Sequence, residues 1–101
     1  MDIYKNAVGE SCELIVAGRI DGEGANKLEV ALLAAIAAGA KDITVDLEQA
    51  TFICSAGLRT LLQYWRQMKN KGNSLQVTSP SPEVGTVLAT SGFKDMLIRR
   101  A

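Results

Sequence analysis

Ser55 is the residue of this 101-residue chain whose type and setting could do chemistry. It stands in the stretch Asp46 to Trp65, where an apolar strand ending near Leu47 runs through a short connection into a patterned helix. A hydroxyl on a first helical turn can carry a phosphate, because the N–H groups there lack intrahelical partners and the positive end of the macrodipole accommodates negative charge. Phosphate adds about −1.5 to −2 charge at pH 7. Beside the amides of Ala56, Gly57 and Leu58, that charge would reverse the sign of the surface without melting the helix. The position also suits an N-cap, whose oxygen bonds an amide a little further on, and position alone favours that simpler role. Two details oppose it. Leu58 occupies the capping-box position where Glu or Gln belongs, and Gly57 costs helix propensity inside the first turn, which implies that another backbone or a partner comes close.

Other chemistries are excluded by what the chain lacks. Histidine is absent, which removes Ser-His-Asp and Cys-His catalysis and most metal-site constellations. Cys12 and Cys54 are too few for a disulfide framework or an unaided zinc site, and both read as reduced thiols. Cys54 near a helix start admits a redox role through a lowered pKa, against the simpler role of a small apolar residue. Gly22-Glu23-Gly24 invites a dinucleotide reading, but Lys27 stands where the third glycine belongs. Asp21 and Asp46 are the only acid–base candidates, and both are more simply turn or strand-end residues. The expectation is a non-enzymatic chain with no cofactor and no metal.

The elements that must position Ser55 follow from patterning. Ile3–Val8 and Glu13–Ile20 read as strands joined through Gly9-Glu10, and hence as an antiparallel pair. Asp21-Gly22-Glu23-Gly24 is a turn leading into a helix from about Gly24 to Ala38, with Leu28, Ala31, Leu32, Ala35 and Ile36 on one face and Gly39 as its stop. Asp42–Leu47 alternates with period two and makes a third strand, parallel to the second across the intervening helix. In the Ser55 helix Leu58, Leu61, Leu62, Trp65 and Met68 form the apolar stripe. Arg59, Gln63, Arg66, Gln67 and Asn70 form the wet face. Gly72 ends that helix, Ser74–Thr78 supplies a fourth strand, and Ser81-Pro82-Glu83 starts a short helix running to about Thr90. Gly92 breaks it, Phe93–Ile98 docks or adds a short strand, and Arg99-Arg100 is a solvated tail. The order β-β-α-β-α-β-α predicts an α/β fold: one domain over residues 1–101, with a mixed sheet covered by helices.

Lys+Arg and Asp+Glu both count 11, so no global field favours nucleic acid or an anionic membrane, and partners must be recognised locally. The opening segment lacks the basic start and apolar run of a signal peptide, and the apolar tract Val30–Ala40 is far short of a membrane span. These features lead to the expectation of a cytoplasmic protein without membrane insertion.

Taken together, Gly18-Arg19-Ile20-Asp21, Val45-Asp46-Leu47, Ser55-Ala56-Gly57-Leu58 and Thr90-Ser91-Gly92-Phe93 resemble, in order and at family-like spacing, the STAS domain family. The resemblance is strongest to its single-domain bacterial anti-sigma factor antagonists. It implies a partner-switching regulator whose unphosphorylated form binds an anti-sigma-type serine kinase. The kinase uses ATP to phosphorylate the serine of an Asp-Ser-x-Gly motif, and a PP2C-type phosphatase restores it. That serine maps to Ser55, and the partner-facing residues map to Asp21, Cys54, Ala56, Gly57, Leu58 and Arg59. Cys54 stands where the motif has Asp. Some members of the fold are never phosphorylated and serve as scaffolds or transporter regulators. The alternative is therefore a non-phosphorylated subunit of a lipid or anion transporter. A third possibility, a small-molecule or nucleotide binder, finds no phosphate loop in the sequence.

Overall fold

The computed structural model describes residues 1–92 and the backbone of Leu97–Ile98. Its elements run β1 (Asp2–Val8), β2 (Ser11–Ile20), α1 (Gly22–Ala37), β3 (Asp42–Asp46), β4 (Ala50–Ile53), α2 (Ser55–Asn70), β5 (Ser74–Thr78), α3 (Pro82–Thr90) and β6 (Leu97–Ile98). The sheet is mixed, in the order β1-β2-β3-β5-β6, with β4 paired to β2. The β1–β2 hairpin is antiparallel through the Gly9-Glu10 turn, and every other pairing is parallel. The α/β class, the hairpin and the parallel β2–β3 pair are as the sequence predicts. Phe93 and Arg99-Arg100 lie outside the described residues, whereas Leu97–Ile98 does add a short strand.

One strand was not foreseen. Ala50–Ile53, expected as a connection, is β4, and it takes up the neighbour position beside β2 that β3 leaves at Asp46. β2 is long enough to serve both: residues 11–15 pair with β3, and Gly18, Arg19 and Ile20 pair with Ala50, Phe52 and Ile53. The break between β3 and β4 is an Asx-type turn in which the Glu48 N–H donates to the Asp46 carboxylate at 2.9 Å. Leu47 anchors it, donating from its N–H to the Thr78 carbonyl and accepting from the Ala50 and Ser81 N–H groups.

Alternation builds the core. Cys12, Leu14 and Val16 on β2, Ile43 and Val45 on β3, and Leu75 and Val77 on β5 face inward. They meet Leu28, Leu32 and Ala35 of α1 and Leu61, Tyr64 and Met68 of α2. Val84 and Leu88 of α3 complete the same cluster. The buried arc of α2 is displaced from the expected stripe. Leu61 and Met68 are buried as expected, but Thr60 and Tyr64 join them while Leu58, Leu62 and Trp65 are only partly buried. Tyr64 tolerates this because its polar tip lies by Glu29 of α1, whose carboxylate, after burial itself, pushes the phenol pKa up. Gly39 and Gly72 end α1 and α2 at positive φ, where the Cβ-free backbone closes the last turn. In α2 the Gly72 and Asn73 N–H groups donate back to the Lys69 and Met68 carbonyls.

Candidate functional site

Two parallel strands end level with each other at Ile20 and Ile53, and each is followed at once by a helix start. The Cys54 N–H donates to the Ile20 carbonyl at 2.9 Å, which ties the β4–α2 junction to the β2–α1 junction. Asp21 and Ser55, far apart in sequence, are thereby brought to one end of the sheet.

The two starts differ in how their amides are satisfied. Asp21 is the N-cap of α1: its carboxylate accepts from the Gly24 N–H at 2.8 Å while its carbonyl accepts from Ala25. The expected start at Gly24 therefore moves forward to Gly22. In α2 the N-cap is Cys54, in extended conformation, with no side-chain cap among the described residues and no acidic residue in the first turn. Ser55 is one residue further in, at the first helical position. Its side chain is exposed and makes no hydrogen bond among the described residues, so the capping role is not the one it plays. The Leu58 N–H donates to the Cys54 carbonyl at 3.1 Å. The amides without an intrahelical acceptor are therefore those of Ser55, Ala56 and Gly57, not the expected set ending at Leu58. Ser55 thus presents a hydroxyl at an electrostatically positive helix end with nothing engaged to it.

Gly57 is buried, and the close approach it implied comes from the domain's own core. A Cβ there would lie 2.9 Å from both the Ile20 Cγ2 and the Ile53 Cγ1. Gly57 lets α2 seat on the ends of β2 and β4, so its part in the site is to set the height of Ser55. Around the serine, Cys54, Ala56 and Leu58 are half-buried and Arg59 is exposed.

Sequence reasoning missed a neighbouring pair. Arg19 and Phe52 are opposed across β2 and β4, and the Arg19 guanidinium lies 4.3 Å from the Phe52 ring centroid. Phe52 is 38% exposed, an aromatic left at the surface on the strand that leads to Ser55. The signal was present in Thr51-Phe52-Ile53, a β-prone triplet, but without β4 nothing placed it beside Arg19. Asp46 is engaged in the turn that ends β3, as expected, whereas Asp21, expected in a turn, is a helix cap. Among the described residues no group of His, Cys, Asp or Glu side chains could hold a metal ion, and no helix is long and apolar enough to cross a membrane.

Parallel β2 and β4 thus bring an acidic cap and an unengaged serine to one end of a mixed sheet. The model of the Mlab, STAS domain family matches residues 3–99, and the chain belongs to the STAS domain family. Within it, the chain is 32% identical over 76 residues to BtrV of Bordetella bronchiseptica, named as an anti-sigma factor antagonist. That match spans 75% of this chain and 66% of the relative's length. The fold is similar to that of the anti-sigma factor antagonist SpoIIAA in its unphosphorylated form, with a TM-score of 0.86 and 20% identity over 99% of this chain and 89% of that one. It is also similar to the phosphorylated form of the Bacillus protein, with a TM-score of 0.79 and 20% identity over 99% and 92% of the two chains.

Proposed function

We propose that this chain is an anti-sigma factor antagonist that works by partner switching. In its unmodified form the surface around Ser55, made of Asp21, Cys54, Ala56, Leu58 and Arg59 seated on Gly57, docks on a serine kinase of the anti-sigma type in the cytoplasm. The kinase phosphorylates Ser55, the complex separates, and a PP2C-type phosphatase resets the domain. The observation that carries this reading is the exposed, unengaged Ser55 hydroxyl on an uncapped helix start. The similarity to proteins named as anti-sigma factor antagonists supports the class of partner.

The chemistry is one of charge and desolvation. The Ser55 and Ala56 amides and the helix dipole stabilise a phosphate on the free domain, whereas a docked partner must bury about two negative charges against its own surface. Moving occupancy from almost fully bound to almost fully free takes about 5.5 kcal/mol of differential binding. Arg19 and Phe52 extend the docking surface with a cation and an aromatic face.

The test is mass analysis of the protein from its native cells, with peptide mapping across Phe52 to Arg59. A phosphate on Ser55 that is lost in Ser55→Ala, together with recovery of a kinase by Ser55→Ala and not by Ser55→Asp, is the expected result. Equal recovery by both variants refutes the switch. A second reading is favoured by one observation, the half-buried thiol of Cys54 where the motif carries a carboxylate. In that reading the domain is an unphosphorylated subunit of a lipid or anion transporter, and native membranes yield permease or ATPase subunits in place of a soluble kinase.

A further inference from the structure

From Val30 through Ala40 the chain carries no polar side chain, yet much of this stretch faces solvent. Val30 is 67% and Leu33 46% exposed, and Ala34, Ala37 and Ala38 are exposed beside them. A surface helix ordinarily turns a charged face outward. Here the second half of α1 is apolar all round, and next to it the helix-facing side of β1 is left largely uncovered.

The space between them is a trough. Its larger part, about 560 Å³, is lined by Ile3, Leu14, Val30, Ala31 and Ala34, with Lys5 on the strand lip and Lys27 on the helix lip. Asp2 and Asn26 also border it, and the Lys27 ammonium donates to the Met1 carbonyl at 3.5 Å. A smaller cavity of about 30 Å³ continues beyond Lys5 along Ala7, Cys12, Ala35 and Ala38. At the far end the Glu10–Lys41 pair, 3.1 Å apart, neutralises itself. Two lysines against one carboxylate leave the trough net positive over an apolar floor.

The lining is that of a small-molecule site, mostly apolar with few polar groups to orient a ligand, in a groove open to solvent along its length. We propose that the β1–α1 trough binds a long-chain amphiphilic anion, its acyl chain along Ile3, Val30, Ala31 and Ala34 and its head group against Lys5 and Lys27. The apolar floor supplies affinity through chain burial, so a longer chain binds more tightly. The lysines select an anionic head over a neutral or cationic one. The trough shares no lining residue with the Ser55 surface, so its binding is measured apart from the switch.

The experiment is calorimetric titration of the full chain with sodium palmitate and sodium laurate, and in parallel with phosphatidylglycerol vesicles. The variants are Lys5→Glu, Ala34→Trp and, as a charge control away from the trough, Lys71→Glu. Thermal melts establish that each variant is folded, and amide shift mapping reports on Ile3, Leu14 and Val30. Expected is saturable binding by palmitate, stronger than by laurate, weakened about tenfold or more by Lys5→Glu and by Ala34→Trp and unchanged by Lys71→Glu. Vesicle binding with the same variant pattern, in place of free acid, also supports the site and names a membrane lipid as its source. No binding in either arm, or binding indifferent to Lys5→Glu and Ala34→Trp, overturns it. So does a dimer in sedimentation that Ala34→Trp dissociates, since a second copy then covers the trough.

Discussion

Ile20 and Ile53 face each other across the parallel β2–β4 pair, and the missing side chain of Gly57 sits between them. A methyl group on residue 57 would press on a branch carbon of each, and neither is the free end of a flexible chain. Gly57→Ala therefore gains about 1 kcal/mol of helix propensity but costs about 1–3 kcal/mol in overpacking. The expected outcome is a net loss of stability by urea denaturation, larger again for Gly57→Val, with the start of α2 lifted from the sheet.

Asp21 has a structural duty independent of any partner. Asp21→Ala removes the α1 cap and lowers stability by about 1 kcal/mol, while Asp21→Asn, which keeps an accepting oxygen, costs a small fraction of that. Binding measurements on Asp21 variants should therefore use the Asn form. If Asp21→Ala and Asp21→Asn melt alike, the cap is not what the side chain contributes.

Ser55 is the reverse case. Since its hydroxyl caps nothing, Ser55→Ala leaves stability within about 0.5 kcal/mol of the parent. Ser55→Asp, negative at the positive end of α2, raises it by about 0.3–1 kcal/mol. A loss of about 1 kcal/mol in Ser55→Ala would instead reveal a capping role.

Cys54 stands at the N-cap without capping. Cys54→Asp supplies the missing acceptor and is expected to stabilise the domain by about 1 kcal/mol in denaturant titrations. It also restores the carboxylate of the family motif beside the serine. Phosphate incorporation from ATP in native lysate should then rise relative to the parent, and an unchanged rate would remove the carboxylate from kinase recognition.

Alkaline stability carries the mark of two buried acids. Burial pushes the Cys12 thiol above its ordinary value of 9.0, with the Lys5 charge opposing, and burial with Glu29 pushes the Tyr64 phenol above 10.0. The unfolded chain releases these protons at the ordinary values while the folded chain still holds them. The folded state then binds more protons, and stability falls as pH rises through that range. Below it the two groups are protonated in both states and contribute no slope. Urea midpoints from about pH 8 to pH 11 should decline, with the earlier part of the decline absent in Cys12→Ala.

The sequence revealed what periodicity and end signals encode: the hairpin, the three helices, the parallel β2–β3 pair, the strand that is β5, and the glycine stops at 39 and 72; the parallel pairing of β5 with β3 came from the structure. It hid β4 because Ala50-Thr51-Phe52-Ile53 is buried only at its two ends, and the extra residue at Thr51 breaks the period of two that marks a strand. With β4 unseen, the free amides read as those of Ala56, Gly57 and Leu58, one residue late, because Cys54, held extended by its bond to Ile20, takes the N-cap place. The same omission concealed Arg19 and Phe52 as neighbours. The arc of α2 turned toward Tyr64 because α1 lies alongside and Glu29 meets the phenol, a contact between helices that no single-helix pattern contains.

The asymmetry between the two helix starts also bears on how such a domain can change over generations. At Asp21 the fold and any binding role share one carboxylate, so an exchange there is tested twice, once for folding and once for function. At residue 55 the fold asks nothing of the side chain. A substitution there answers only to what the surface does, and needs no compensating change elsewhere in the fold.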